Sequence, residues 1–162
     1  MNRNLIYTAI LSSTLFFASC GDDKKESTSS TTETEGTTTS DAGSSSVSTD
    51  PKGVGRHKNI QLTSPLDEAM VTKGREISEV KCTSCHKMDG EKLVGPGWAG
   101  VTDRRTPEWI MNFITNTDEM LAKDTAVQNM LEVCLVKMPN QGLSDVDARS
   151  VLEYMRKNDG KK

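Results

Sequence analysis

Residues 82–86 read Cys82-Thr83-Ser84-Cys85-His86, and the rest of the chain is interpreted outward from them. Two thiols three positions apart share one side of a helical turn, and an imidazole follows at once. Several chemistries use such a pair. A zinc site needs a closed set of four ligands, usually a second pair at matching spacing, and the other candidates, Cys134 and His57, are scattered along the chain. A thioredoxin-like redox pair needs a strand–helix context, but the flanking sequence reads as helical on both sides. A disulfide closing so small a loop would be a poor brace.

The remaining chemistry is covalent attachment of c-type haem, whose signature is two cysteines separated by two residues and followed by histidine. The thiols add to two vinyl groups on one porphyrin edge, and His86 then offers a ring nitrogen to the iron as proximal ligand. One covalent haem c is therefore expected, held through Cys82, Cys85 and His86. Aromatic residues make up only 4% of the 162 residues, and a porphyrin would supply flat apolar bulk that the side chains lack.

The chain opens like an export signal. Arg3 precedes a 14-residue apolar run, Leu5 to Ala18, too short for a permanent membrane span but suited to a signal-peptide core. Phe17-Ala18-Ser19-Cys20 resembles the bacterial lipobox, so residues 1–19 are expected to be removed and Cys20 to carry lipid; an ordinary signal peptide with an incidental Cys20 is the alternative. Acyl chains anchor strongly, at about 0.8 kcal/mol per buried methylene. Residues 20–57 read as a disordered Ser/Thr/acidic linker, because Val47 and Val54 are almost its only large apolar side chains. Asp22-Asp23-Lys24-Lys25 resembles export tags of surface lipoproteins in some Gram-negative bacteria, and reads equally as solvated linker.

Residues 58–162 form the expected domain, an ordinary size. Its 15 Lys/Arg nearly balance 16 Asp/Glu, and no basic patch points to nucleic acid. Ser64-Pro65, with Asp67 and Glu68 behind, predicts a helix start. Gly74 inside that helix costs about 1 kcal/mol relative to Ala, which predicts close approach by another helix. Gly90 to Gly100, with four glycines and Pro96, predicts a loop. Thr106-Pro107-Glu108 opens a second helix. A third is predicted over 124–136 with a buried stripe of Val127, Met130, Leu131, Cys134 and Leu135. Ser144 and Asp147 open a last helix facing Ala148, Val151, Leu152 and Met155 inward. The fold class is all-α: four or five short helices around one haem.

A second axial ligand is needed on the other face of the porphyrin, and a thioether there raises the potential. Met88 is too near His86. Met70, Met111, Met130 and Met155 fall on apolar helix stripes. Met120 lies between predicted helices and is a weaker rival, as is His57. Met138 stands in a loop directly before Pro139, which stiffens the backbone, and is the expected ligand.

At this point a family resemblance becomes specific. The stretch from Gly74 to Met155 resembles a class I c-type cytochrome. Gly74-Arg75-Glu76-Ile77 before Cys82 is similar to the family's N-terminal helix. Met138-Pro139-Asn140-Gln141-Gly142-Leu143-Ser144-Asp145 and the following Val151-Leu152-Glu153-Tyr154-Met155 are similar to its methionine-ligand loop and C-terminal helix. The resemblance implies that the two terminal helices cross at Gly74 with Tyr154 packed nearby. It implies that the Pro96 carbonyl accepts the second His86 N–H, which orients the ring. It also places Arg104, Arg105 and Trp109 near the haem propionates, although the arginines read equally as a solvated turn.

The expected function is single-electron transfer rather than enzyme catalysis, since iron ligated on both faces has no open position. Partners would be redox proteins, the donor and acceptor of a respiratory chain, such as a terminal oxidase or a denitrification reductase. The lipid would hold the domain on a bacterial membrane, at its periplasmic side or outer surface, and raise partner concentration. A haem enzyme or gas sensor with a labile sixth ligand is the alternative, and a lipoprotein with a zinc knuckle a third reading. Cys134 is left without a partner and reads as a small packed residue.

Overall fold

A computed structural model describes residues 47–162; the expected signal peptide, Cys20 and the linker up to residue 46 lie outside the described residues. Among the described residues there are six helices: α1 (Glu68–Lys81), α2 (Val101–Arg104), α3 (Pro107–Thr115), α4 (Thr117–Lys123), α5 (Thr125–Cys134) and α6 (Asp145–Asn158). The only β feature among them is one isolated bridge, Ser48 to Asp124. The fold is all-α, as expected, with two helices more than the four that were clearly marked. α2 and α4 have four and seven residues, too short for an apolar stripe to declare itself.

The principal helix pair is α1 with α6. Gly74 is the contact: a Cβ there would run into the carbonyl of Ser150 and lie 2.9 Å from Cβ of Tyr154. The close approach expected of this glycine is therefore present, with Tyr154 beside it. Ser78 is buried next to the crossing and turns its hydroxyl back to the Gly74 carbonyl at 2.6 Å. Ala148, Val151, Leu152 and Met155 of α6 are buried, on the face that sequence periodicity assigned to the core.

Caps follow the local chemistry. Thr106 accepts the Trp109 N–H and Pro107 occupies the first turn of α3; Ser144 accepts the Asp147 N–H to start α6. The start of α1 differs from expectation. Asp67, not Ser64, is the N-cap and accepts from Ala69 and Met70, because a carboxylate also gains from the positive helix end. Pro65 lies ahead of the helix, and Ser64 donates to the Lys162 carbonyl instead.

The segment assigned to the linker behaves differently where it is described. Residues 48–63 form a strap across α3, α4 and α6. Asn112 is its central clamp: its Oδ1 accepts the His57 N–H, and its Nδ2 donates to the Lys52 and His57 carbonyls, all at 2.9 Å. Ser48 is tied to Lys123 and Thr125. Val54 donates to Sδ of Met120 at 3.0 Å. Arg56 pairs with Asp145 and Lys52 with Glu108. Glu153, buried completely, is flanked by Arg149 and Arg156, which also donate to the Gln61 and Thr63 carbonyls. The boundary at 58 thus moves back into residues 47–57. Composition hid this, because the strap is held through its backbone rather than by apolar side chains.

Candidate functional site

Cys82 ends α1 as its C-cap, and the N–H groups of Cys85 and His86 both donate to the Cys82 carbonyl at 3.0 and 2.9 Å. This tight turn sets the two sulfurs and the imidazole on one wall. Burial pushes the Cys82 thiol up, against a Ser78 hydrogen bond and the charge of Lys81.

The His86 ring is held by the segment that follows it. Its Nδ1 donates to the Pro96 carbonyl at 2.8 Å, which leaves the other ring nitrogen free for a metal and makes it more basic. Backbone N–H groups of Val94 and Gly95 return to the Cys85 carbonyl, and those of Trp98 and Ala99 to Lys87 and Asp89. Gly95 lies flat against the imidazole, and any Cβ there would strike the ring. Trp98 is buried with its ring centroid 5.9 Å from His86 and 6.4 Å from Tyr154. Sequence reading passed over Trp98; its place beside the Gly95-Pro96 pair was the available signal.

These residues open onto a cavity of about 460 Å³, inside the range of cofactor sites. Cys82, Cys85, His86, Pro96, Arg104, Arg105, Trp109 and Met138 all line it, so every residue predicted for the site is brought together. The charged residues on its wall are Lys81, Arg104, Arg105 and Lys137, with no carboxylate among them, in a chain of net charge −3. Arg105 lies over the Trp109 ring at 4.5 Å, a cation–π contact. The buried Trp109 Nε1 has no hydrogen-bond partner in the protein.

The methionines sort themselves. Met111 and Met120 are buried away from the cavity, and the Met120 sulfur is engaged by Val54. Met130 and Met155, expected in the core, line the cavity together with Met138. His57 belongs to the strap, its side chain buried 3.4 Å from Asp145, and is not on the cavity wall. Only Val127 of the expected α5 stripe is fully buried; Met130, Leu131 and Cys134 face the cavity, and Leu135 is 83% exposed after closing the helix in a left-handed conformation. The stripe is apolar for the cavity, not for a protein core, and Cys134 is half-buried there rather than packed.

The donor set fits haem c on this chain's own observations: a largely apolar cavity, an oriented imidazole, two thiols beside it, cations for two carboxylates and an orphaned indole N–H. Residues 71–159 match the family described as Cytochrome c, more than half of the chain. This chain belongs to the cytochrome c family. Haem c, covalently bound, is its cofactor, and haem-based electron transfer is its activity. A solved cytochrome c from Rhodothermus marinus is 31% identical, with 65% of this chain and 90% of that one covered and a TM-score of 0.63. An engineered cytochrome c from Rhodothermus marinus is 29% identical, covering 69% and 100%, with a TM-score of 0.65. The same engineered cytochrome c, solved bound to a carbene intermediate, is 29% identical, covering 69% and 100%, with a TM-score of 0.62. No match was found among curated proteins. No helix among the described residues is long and apolar enough to cross a membrane.

Proposed function

We propose that this cytochrome c is a membrane-tethered single-electron carrier between respiratory redox proteins, with Cys82 and Cys85 as the attachment thiols and His86 and Met138 as axial ligands. Haem c supplies an iron that accepts and returns one electron. The protein's part is to hold it: Pro96 orients His86, Trp98 backs the ring, and Met138 offers sulfur from the non-helical 135–144 segment. Met130 and Met155 sit on helices, fixed by α5 and by the buried face of α6, whereas a loop methionine is free to place its thioether. Arg104, Arg105 and the Trp109 N–H serve the haem carboxylates. The observation that carries this reading is the single cavity lined by both thiols, the carbonyl-oriented imidazole and Met138.

The anchor completes it. Residues 1–19 act as an export signal, Cys20 carries the lipid, and residues 20–46 connect it to the domain, on the periplasmic side or outer surface of a bacterial membrane. The lipobox-like Phe17-Ala18-Ser19-Cys20 supports this.

Replacement of Met138 tests the ligation. In Met138→Ala the weak red absorption band of sulfur-ligated ferric haem disappears, the potential falls, and the reduced protein binds carbon monoxide. Unchanged spectra and potential would rule Met138 out. Ready carbon monoxide binding by the unaltered protein would instead favour an open sixth position and the enzyme or sensor reading. Mass spectrometry of the mature protein reads haem and lipid together; a mass without acyl groups removes the anchor.

A further inference from the structure

Asp159 is the residue just past α6, where a helix's own dipole disfavours a carboxylate. Arg156 and Lys157 in the last turn already supply the charge that this end favours. The use of the aspartate lies in another element. One of its oxygens accepts the Gly100 N–H at 2.7 Å; the other accepts the Thr102 N–H at 2.8 Å and the Thr102 hydroxyl at 2.7 Å. These are donors at the start of α2 that a helix leaves without internal partners. Four residues cannot hold helical geometry unaided, and the N-cap of α2 is Gly100, which has no side chain to help. Lys161 adds a pair with Asp103 of the same helix.

α2 ends at Arg104, and Arg105 follows, the two cations beside each other on the cavity wall. The chain before α2 is held independently, by the backbone hydrogen bonds of Val94, Gly95, Trp98 and Ala99 to the attachment segment. That segment also reaches α2, through the Trp98 carbonyl, which accepts the Val101 N–H at 2.9 Å, and the Ala99 carbonyl, which accepts from the Arg104 guanidinium at 2.6 Å; the N–H groups of Gly100 and Thr102 are left to Asp159. We propose that Asp159 is a positioning residue that aims the Arg104–Arg105 pair at the haem from the end of α6 and thereby raises the reduction potential. This rests on the reading that the two arginines serve the haem carboxylates. Cations near the haem favour the reduced, less positive iron, and the charge of Asp159 itself acts in the opposite sense. Loss of positioning lowers the potential, whereas loss of that charge alone raises it, so the sign separates the two.

The test measures potentials of the holoprotein in Asp159→Ala and Thr102→Val, with an Arg104→Gln/Arg105→Gln double variant as reference. Asp159→Ala lowers the potential, by about threefold in the one-electron equilibrium, and Thr102→Val lowers it less. In the arginine-free background Asp159→Ala no longer lowers it. Amide exchange of Gly100 and Thr102 rises while Val94, Gly95, Trp98 and Ala99 stay protected. A potential that is unchanged or raised in Asp159→Ala overturns the proposal. If the arginine double variant alone leaves the potential unchanged, the reading of the arginines fails and takes the proposal with it. Should Asp159→Ala not fold, the sign of the shift in Thr102→Val decides.

Discussion

At the scale of single residues, two glycines carry more than their size suggests. Gly95 leaves room for the imidazole, and Gly74 lets α6 touch the backbone of α1. For Gly74 two effects oppose each other. Alanine gains about 1 kcal/mol of helix propensity, but its Cβ meets a backbone carbonyl and not the end of a flexible side chain. Overpacking of this kind costs about 1–3 kcal/mol or more, and the backbone of α6 has nowhere to move without breaking the helix pair. Gly74→Ala therefore unfolds at lower urea concentration, with a net loss toward about 2 kcal/mol, the upper cost of about 3 less the gain of about 1, and an unshifted haem spectrum. Equal or greater stability would mean that the two helices are not bound by that contact. Gly74 was legible in the sequence because a helix-interior glycine needs a reason. Gly95 was marked only as part of a loop, and its contact with His86 needed the folded chain.

At the scale of elements, the strap over 48–63 is the main departure from expectation. Its ion pairs have a defined pH response. The Arg56 hydrogen bond holds the Asp145 carboxyl below its ordinary 3.8, with the Arg56 charge and His57 adding and burial opposing. Burial pushes Glu108 up from 4.5, but its own backbone N–H, that of Ile60 and Lys52 together outweigh this and hold it lower. Both folded values are depressed. Their contribution is therefore complete above the unfolded values and is lost as pH falls through the folded ones. Limited proteolysis within residues 48–63 should accelerate below about pH 4.5 while α1 and α6 stay intact; a rate independent of pH down to acid unfolding would exclude ion-pair control of the strap. A second expectation follows from the Asn112 clamp. A chain beginning at residue 58 loses all three of its hydrogen bonds, at about 0.5–1.5 kcal/mol net each, so it is less stable than one beginning at 47 by roughly 2 kcal/mol or more. Equal urea midpoints would contradict this.

At the scale of the whole molecule, the cavity is too large to be left empty. Its wall carries the apolar side chains of Trp109, Ile110, Phe113, Val127, Met130 and Met155, and apolar surface left to water forfeits about 25 cal/mol per Å² of burial. Typical domains are stable by only about 5–15 kcal/mol. Haem is therefore part of the core and not an addition to a finished one. The double variant Cys82→Ser/Cys85→Ser, purified without haem, should lack cooperative unfolding and most helical circular dichroism. A folded, cooperative apoprotein would show that α1, α3 and α6 suffice alone. The apolar face of α5 makes the same point, since Met130, Leu131 and Cys134 point at the cofactor's space.

The sequence by itself determined the attachment motif, the helical class, the caps at Thr106 and Ser144 and the close helix approach at Gly74. Each of these depends on short-range spacing or on a motif whose chemistry permits few alternatives. Only the tertiary structure decided that α2 and α4 are helices, that the Met120 sulfur is already engaged, that residues 48–57 belong to the domain, and that Asp159 holds the start of α2. These depend on hydrogen bonds between backbone and side chains some fifty or more residues apart, such as Asn112 to His57 and Asp159 to Thr102, or on elements too short to show a period. Composition and periodicity register apolar side chains along a local stretch and carry no record of which distant carbonyl or amide a polar group will meet.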